Sequence, residues 1–223
     1  MLRIFKREFE CPHCHNTFTI NERISINVTL DPGLKNKVLK GKIFRHTCPN
    51  CQQESMVLYN TMYHDMEKHI MIYFMIGATE REYRIPIGAN NFGDFAGDDY
   101  ALRLEVDYNG FRERVRMLDM GFNDLVLEIM RALVLKELQQ QLPEAEDLYF
   151  IGAPEGNIRF QVIAGGKPVR SLDVPVDMYS KVEEIFKKFP EATEKVNALR
   201  RIDRQWLEET GILERMEKII NAE

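Results

Sequence analysis

Two copies of the motif Cys-Pro-x-Cys constrain this sequence more than any other feature. They are Cys11-Pro12-His13-Cys14 and Cys48-Pro49-Asn50-Cys51, and together they contain every cysteine of the 223-residue protein. Each motif is typical of a tight turn that presents two thiolates, and two such turns supply the four ligands of a tetrahedral Zn²⁺ ion. Because the proline recurs with the cysteines, the sequence predicts one structural zinc ion per chain. Its predicted ligands are Cys11, Cys14, Cys48 and Cys51.

A zinc ion enclosed by four cysteines is expected to have a structural role. It keeps no open position for water or substrate, so such a site is not itself catalytic. The backbone N–H groups of each turn are expected to donate hydrogen bonds to the sulfurs, which stabilises the thiolate charge. The predicted role of the metal is to hold together a region whose own core is too thin to fold alone.

A thiol–disulfide oxidoreductase that uses the Cys11/Cys14 pair is the main alternative. Glutaredoxin-like chains also carry a Cys-Pro-x-Cys pair close to their start. That chemistry needs the first cysteine at the N-terminus of a helix, whose dipole favours the thiolate. Residues 15–21, however, are prone to form β-structure, and redox catalysis gives the second motif no role.

All five histidines fall within the first 69 residues, where they are candidates for further metal ligands. His13 and His15, in and beside the first motif, are expected to be exposed. His46 precedes Cys48 by two residues and is a candidate hydrogen-bond donor to sulfur. The segment His64–His69 holds two histidines and two acidic residues and offers a second possible metal site. Its spacing matches no hydrolase motif, so loop or core histidines are the favoured interpretation.

The charge of the chain is unevenly distributed. Residues 1–75 carry ten Lys/Arg and seven Asp/Glu, so this part is positive while the whole protein has a net charge of −5. Four thiolates and one Zn²⁺ would leave the first third close to neutral. This is far from the dense basic field of a protein that binds phosphates, so nucleic acid is not the expected partner. A zinc-ribbon nucleic-acid binder remains the second alternative.

The sequence indicates a cytoplasmic protein without membrane association. Residues 1–10 carry five charges and therefore lack the apolar core of a signal peptide. The most apolar runs, His69–Gly77 and Leu125–Leu138, are too short or too interrupted by charge to span a bilayer. In a reducing compartment, paired cysteines indicate metal or redox chemistry more often than a structural disulfide.

The predicted fold class is α+β, with two regions. Residues 1–88 are expected to form a zinc-ribbon-like β unit, and residues 100–223 a mixed region of hairpin, helix, meander and C-terminal helices. Between them, Gly88–Asp99 has the glycine, asparagine and aspartate content of a loop or linker. Predicted strands of the first region cover residues 3–10, 24–30, 55–59, 70–76 and 81–87, with a short helix at 34–41, a segment at 43–47 that leads back to the second motif and a polar connection at 60–68.

A hairpin centred on Asn109-Gly110 is predicted to open the second region. Asn-Gly is the preferred pair for a type I′ turn, and it separates Leu102–Tyr108 from Phe111–Leu118. Arg112, Arg114 and Arg116 alternate along one face of this hairpin and are expected to be solvated. The other predicted elements are a buried central helix at 122–141, strands at 148–152, 158–164 and 168–174, a helix from 175–177 to 189, and helices at 196–207 and 213–220.

The two motifs and their surroundings resemble the CpXC family of bacterial proteins, which is named for two CPxC motifs separated by an insertion of this kind. The resemblance rests on the motifs, Asp31-Pro32, Leu39-x-Gly41-x-x-Phe44 and Tyr59–Asp65. It implies a zinc-ribbon-like site at the four cysteines and implies no activity. Many members carry glycine directly after each motif. His15 and Gln52 stand there in this chain, where a Cβ strains a left-handed backbone.

The favoured function is therefore a non-enzymatic zinc-binding protein that acts as an interaction module, with another protein as the expected partner. Serine is scarce and none lies in a Gly-x-Ser-x-Gly motif, so no nucleophile–base arrangement is evident. No catalytic residue is predicted from the sequence.

Overall fold

Runs of strands and runs of helices follow one another along the chain, which is an α+β arrangement, as predicted. The computed structural model describes residues 4–79, 100–193 and 200–220. The chain divides into two units, the first made of residues 1–112 with 197–200 and the second of residues 113–196 with 201–223. The predicted strand at 81–87 and the predicted linker Gly88–Asp99 lie outside the described residues.

Two small hairpins of the first unit carry the cysteine motifs. Strand β1 (Ile4–Glu10) pairs antiparallel with β2 (Thr17–Arg23), and strand β4 (Arg45–Thr47) pairs antiparallel with β5 (Glu54–Met56). Each hairpin turns through one Cys-Pro-x-Cys motif. The motifs are thus presented at the tips of two separate β-ribbons, and strand β4 forms within the segment 43–47, where no strand was predicted.

A four-stranded sheet forms the centre of the first unit. Its order is β3-β6-β7-β8, with β6 and β7 antiparallel and the two outer pairings parallel. The strands are β3 (Ser25–Asn27), β6 (Thr61–Asp65), β7 (Ile70–Phe74) and β8 (Ala101–Glu105). The predicted strand at 24–30 is therefore shorter than expected, and that at 70–76 is confirmed in its main part.

The prediction of a polar connection at residues 60–68 is wrong for Thr61–Asp65, which form strand β6. Its residues alternate in burial, and Thr61, Tyr63 and Asp65 point inward. Two of the buried polar side chains have partners from other elements, since Thr61 Oγ1 donates to the carbonyl of Arg23 (2.6 Å) and Asp65 Oδ2 lies 3.3 Å from Nζ of Lys35. Partners distant in sequence thus make a polar segment suitable for an inner strand.

Aromatic side chains fill the core of the first unit around Phe44, which is fully buried. Its ring makes edge contacts with four others, those of Tyr59, Phe74, Tyr108 and Phe111. The predicted short helix is present as Gly33–Leu39 and is followed by a 3₁₀ turn at Lys42–Phe44. Gly41 joins them with φ 69°, and a Cβ there would lie 1.9 Å from the hydroxyl of Tyr108, so only glycine fits.

The predicted hairpin at Asn109-Gly110 is wrong. Residues Tyr108–Asp119 form a helix, and β8 pairs in parallel with β7 instead of antiparallel with the segment that follows it. Asp107 Oδ1 accepts a hydrogen bond from the amide of Gly110 at 2.8 Å, the geometry of a helix N-cap. Phe111 and Val115, four residues apart, are both fully buried. Helical spacing and a cap therefore outweigh the turn preference of Asn-Gly.

The three arginines that follow do not form a solvated strand face, because they lie on this helix. Arg112 donates to the carbonyl of Leu39, whereas Arg114 is buried and bonds Asp124 Oδ2 at 3.0 Å. Arg116 reaches the carbonyl of Phe150 at 3.4 Å. Each guanidinium has a structural partner within its own unit.

The second unit packs helices on a three-stranded antiparallel meander, as predicted. The strands are β9 (Ala145–Gly152), β10 (Asn157–Ala164) and β11 (Lys167–Pro175), in the order β11-β10-β9. The predicted central helix is Asp124–Gln141, capped by Asn123, whose side chain accepts from the amides of Leu125 and Val126. The remaining helices are Val176–Phe186, Pro190–Thr193, Arg204–Thr210 and Ile212–Ile220, the last two meeting at Gly211.

Buried charges lie beneath this meander. Glu113 accepts a hydrogen bond from the amide of Phe150 and lies 3.5 Å from the guanidinium of Arg131, which also bonds Glu128 at 2.6 Å. Burial raises the pKa of Glu113 to about 7 despite the nearby arginine, and burial also raises the pKa of Glu128.

Among the helices that the structure describes, none is both long enough and apolar enough to cross a membrane.

Candidate metal centre

The two hairpin tips bring the four cysteine sulfurs into one cluster. All four Sγ atoms lie within 4.8 Å of one another. Two of the separations join one motif to the other, with Cys11 Sγ 3.6 Å from Cys51 Sγ and Cys14 Sγ 3.7 Å from Cys48 Sγ. In a tetrahedral site with zinc–sulfur bonds of about 2.3 Å, neighbouring sulfurs are about 3.8 Å apart. The cluster therefore has the dimensions of a group able to bind one metal ion.

The two turns share the same backbone hydrogen bonds. Cys11 donates from its amide to the carbonyl of Asn16 and accepts at its own carbonyl from the amide of His15. In the second turn, Cys48 donates to Gln53 and accepts from Gln52 in the same way, and the four distances all lie between 2.9 and 3.0 Å. The repeated motif in the sequence is thus a repeated structure.

His15 and Gln52 adopt the left-handed backbone conformation expected at these positions. Both have φ 59°, the region that glycine enters most readily. His15 has a side-chain partner, since its Nδ1 lies 2.8 Å from Glu10 Oε1, and the Gln52 amide donates to the carbonyl of Pro49 at 3.0 Å. At both positions the chain therefore carries a residue with a Cβ, although many members of the family that it resembles carry glycine there.

The pKa values of Cys14 and Cys51 are shifted in opposite directions by their surroundings. The side-chain amide of Asn50 donates to Cys14 Sγ at 3.5 Å, and together with the backbone amide of Asn16 it lowers the pKa of Cys14 to about 6. The backbone amide of Gln53 favours the Cys51 thiolate, but burial and the neighbouring thiols outweigh it and raise the pKa of Cys51 to about 12. The predicted amide donors are therefore present, one from the residue two positions after each motif's second cysteine.

Asn50 is the residue that sequence reasoning missed. It lies inside the second motif, at the position that His13 has in the first, yet its side chain reaches a sulfur of the first motif. Nothing local in the sequence indicates this contact, because it depends on how the two hairpin tips approach each other. Asn50 links the halves of the cluster.

Burial within the cluster is unequal. Cys11 and Cys48, the first cysteine of each motif, are buried, while Cys14 and Cys51 are half-buried. One sulfur of each motif therefore faces the protein and the other lies near solvent. A bound ion would be held at the edge of the first unit.

The histidines do not join the cluster. His13 and His15 are exposed as expected, and His46 Nε2 is buried without a hydrogen-bond partner, so the suggested bond from His46 to sulfur is not formed. His64 Nε2 lies 3.2 Å from the hydroxyl of Tyr100, and the ring of His69 stacks on the Tyr100 ring. Within the described residues, the four cysteines are the one group of three or more potential ligands close enough to hold a metal. The segment 64–69 forms no second site there.

The structure does not favour the redox alternative. All four cysteines are free thiols, and the residues after Cys14 lead into strand β2 instead of a helix. Thiol–disulfide exchange therefore lacks the helix N-terminus that activates its nucleophile.

A comparison with protein families gives one match. The family model described as CpXC protein matches residues 9–131, which is more than half of the chain and includes both motifs. No curated protein and no solved structure matches the chain.

Proposed function

We propose that this chain, which belongs to the CpXC protein family, binds one structural Zn²⁺ ion through Cys11, Cys14, Cys48 and Cys51. The observation that carries the proposal is the size of the cluster, whose S···S distances of 3.6 and 3.7 Å between the two motifs fit a tetrahedral ion. Zinc would neutralise two of the four thiolate charges. The resulting site is closed, so the metal would stabilise the fold and take no part in a reaction.

The proposed zinc-ribbon-like unit consists of the two hairpins β1–β2 and β4–β5. Each is short, and strand β1 contributes almost nothing to a core. Two-stranded ribbons of this length are marginal in water by themselves. A metal that ties their tips together would supply the missing stability, as in other small zinc-binding units.

The proposed role of the protein is non-enzymatic contact with another protein in the cytoplasm. The closed site supports this role because it leaves no position for a substrate. The modest positive charge of the first third argues against a nucleic-acid partner. The ribbons that the metal holds would then provide a surface of fixed shape.

Metal content is the direct test. Freshly purified protein is expected to contain one zinc per chain and four thiols that react slowly with a thiol reagent, becoming reactive after a chelator is added. Iron in place of zinc would change the identity of the metal, because iron also accepts four sulfur ligands. Four rapidly reacting thiols in metal-free protein that remains folded would contradict the proposal.

A cysteine variant tests the structural role. Cys48→Ser is expected to lose the metal and to unfold the two ribbons, while His13→Ser, in a turn of the same shape but outside the cluster, keeps both. Normal metal content and melting in Cys48→Ser would contradict a four-cysteine site. Binding of the native protein to DNA or RNA with a steep dependence on salt would instead support the nucleic-acid alternative.

A further inference from the structure

Strand β1 presents an exposed edge. Six of its seven residues are exposed and only Phe9 is half-buried, while Ile4 and Phe5 are 46% and 55% exposed. In the described part of the chain, β2 is the one strand that pairs with β1. None of the described strands lies beside the other edge of β1, and an edge with exposed apolar side chains is a template for a further strand.

The hydrogen-bond pattern shows which residues form that edge. The pairing of β1 with β2 has no irregularity, and it continues past Glu10 to the bond from the Cys11 amide to the carbonyl of Asn16. Bonded and non-bonded positions alternate in an antiparallel pair, so the odd-numbered residues of β1 face β2. The backbone groups of Lys6 and Glu8 consequently point to the free edge.

The sequence of this strand is complementary to itself. Phe5-Lys6-Arg7-Glu8-Phe9 has a phenylalanine at each end and opposite charges on either side of Arg7. In an antiparallel pair with a second copy centred on Arg7, Lys6 would face Glu8 of the second copy at a hydrogen-bonded position. Phe5 would face Phe9 of the second copy at a non-bonded position, where side chains approach more closely. The free edge allows this register, because it places even-numbered residues opposite even-numbered residues, and both side-chain pairings in it are favourable.

Two features of the structure support the same arrangement. Arg7 would face Arg7 of the second copy, but its Nε lies 2.8 Å from Glu22 Oε1, so each arginine is already neutralised within its own chain. Phe9 already packs edge-to-face on Phe18, with ring centroids 5.7 Å apart. Phe5 of the second copy would extend this pair into a cluster of three rings.

We propose that strand β1 pairs antiparallel with strand β1 of a second copy of this chain, centred on Arg7, and joins two β1–β2 hairpins into one four-stranded sheet. A single strand edge is small beside the roughly 1,600 Å² of a standard interface. The dimer is therefore expected to form and dissociate with concentration.

Charge reversal tests the proposal with the full-length, metal-loaded chain. By sedimentation at several concentrations, Lys6→Glu and Glu8→Lys should each weaken dimerisation at least about tenfold, because each replaces two attractive pairs with two repulsive ones. The double variant Lys6→Glu/Glu8→Lys restores attraction and should dimerise like the native chain. An equimolar mixture of the two single variants should form heterodimers. Lys188→Glu, an exposed lysine of the second unit, controls for the change in net charge.

Hydrogen exchange gives a second readout. The amides of Lys6 and Glu8 should become protected as concentration rises, while that of Arg7 is protected by β2 throughout. A native chain that stays monomeric over the whole concentration range would overturn the proposal. So would a dimer that both single variants leave intact, or one that the double variant fails to restore.

Discussion

The side-chain amide of Asn50 donates a hydrogen bond to Sγ of Cys14, 3.5 Å away, and so connects the second cysteine turn to the first. Residues that hydrogen-bond to metal ligands tune metal affinity, and losing one typically lowers it by about 10–100-fold. Asn50 has this position although it is not a ligand. It also limits how the two hairpin tips can be placed relative to each other.

Asn50→Ala is expected to lower zinc affinity about tenfold, because it removes the donor that stabilises one thiolate and links the turns. Competition with a chromophoric chelator measures the affinity. Asn16→Ala is the matched control, since the bond from Asn16 to Cys14 comes from its backbone amide and survives the change. Equal losses in both variants would show that the Asn50 side chain has no special role.

The left-handed backbone at His15 predicts an unusual preference between glycine and alanine. His15→Gly should be more stable than His15→Ala by about 1 kcal/mol, because both lose the contact with Glu10 but only alanine keeps a Cβ at φ 59°. Urea denaturation of the metal-loaded protein measures the difference. At His13, which is not among the residues with positive φ, the order should reverse. The same order at both positions would contradict the backbone explanation.

The cap of helix Tyr108–Asp119 predicts the effect of changing Asp107. Asp107→Ala is expected to reduce the free energy of unfolding by about 1 kcal/mol, since it removes the acceptor for the amide of Gly110. Asp107→Asn keeps an acceptor oxygen and should stay close to the native stability. Thermal melts of the two variants measure the difference. A large loss in Asp107→Asn as well would indicate that the charge, and not the cap, is what matters.

Buried Glu113 predicts that stability falls as pH rises. Its pKa is about 7 in the folded protein and about 4.5 in an unfolded chain, so the folded state binds more protons between these values. The contribution of Glu113 to folding is therefore complete below about pH 4.5 and is lost as pH rises to about 7, by at most about 1.4 kcal/mol per pH unit. Glu113→Gln should reduce this slope in denaturation measured from pH 5 to pH 8.

Glu144→Gln provides the control for that experiment, because Glu144 is an exposed carboxylate of the same unit. Its pH profile should follow that of the native chain. If the Glu113→Gln profile is also parallel to the native one, Glu113 does not take up a proton on folding.

Several secondary-structure elements and turns of this protein are determined by residues that are close together in sequence. The two cysteine turns, the central helix and the meander are short-range patterns, and each appears where it was predicted. The left-handed turns at His15 and Gln52 follow from the same local chemistry, since a turn that presents two thiolates fixes the backbone after it. A pattern confined to a few residues needs no knowledge of the remaining chain.

Tertiary structure decided the features that depend on distant partners. Asn109-Gly110 lies in a helix because Asp107 caps it and Phe111 is buried in an aromatic core. Residues 61–65 form an inner strand because neighbouring strands lie on both sides. Asn50 reaches Cys14 only once the two hairpin tips are brought together. Burial and hydrogen bonding between residues far apart in sequence outweigh local preferences here, because their combined free energy exceeds that of a turn or strand propensity.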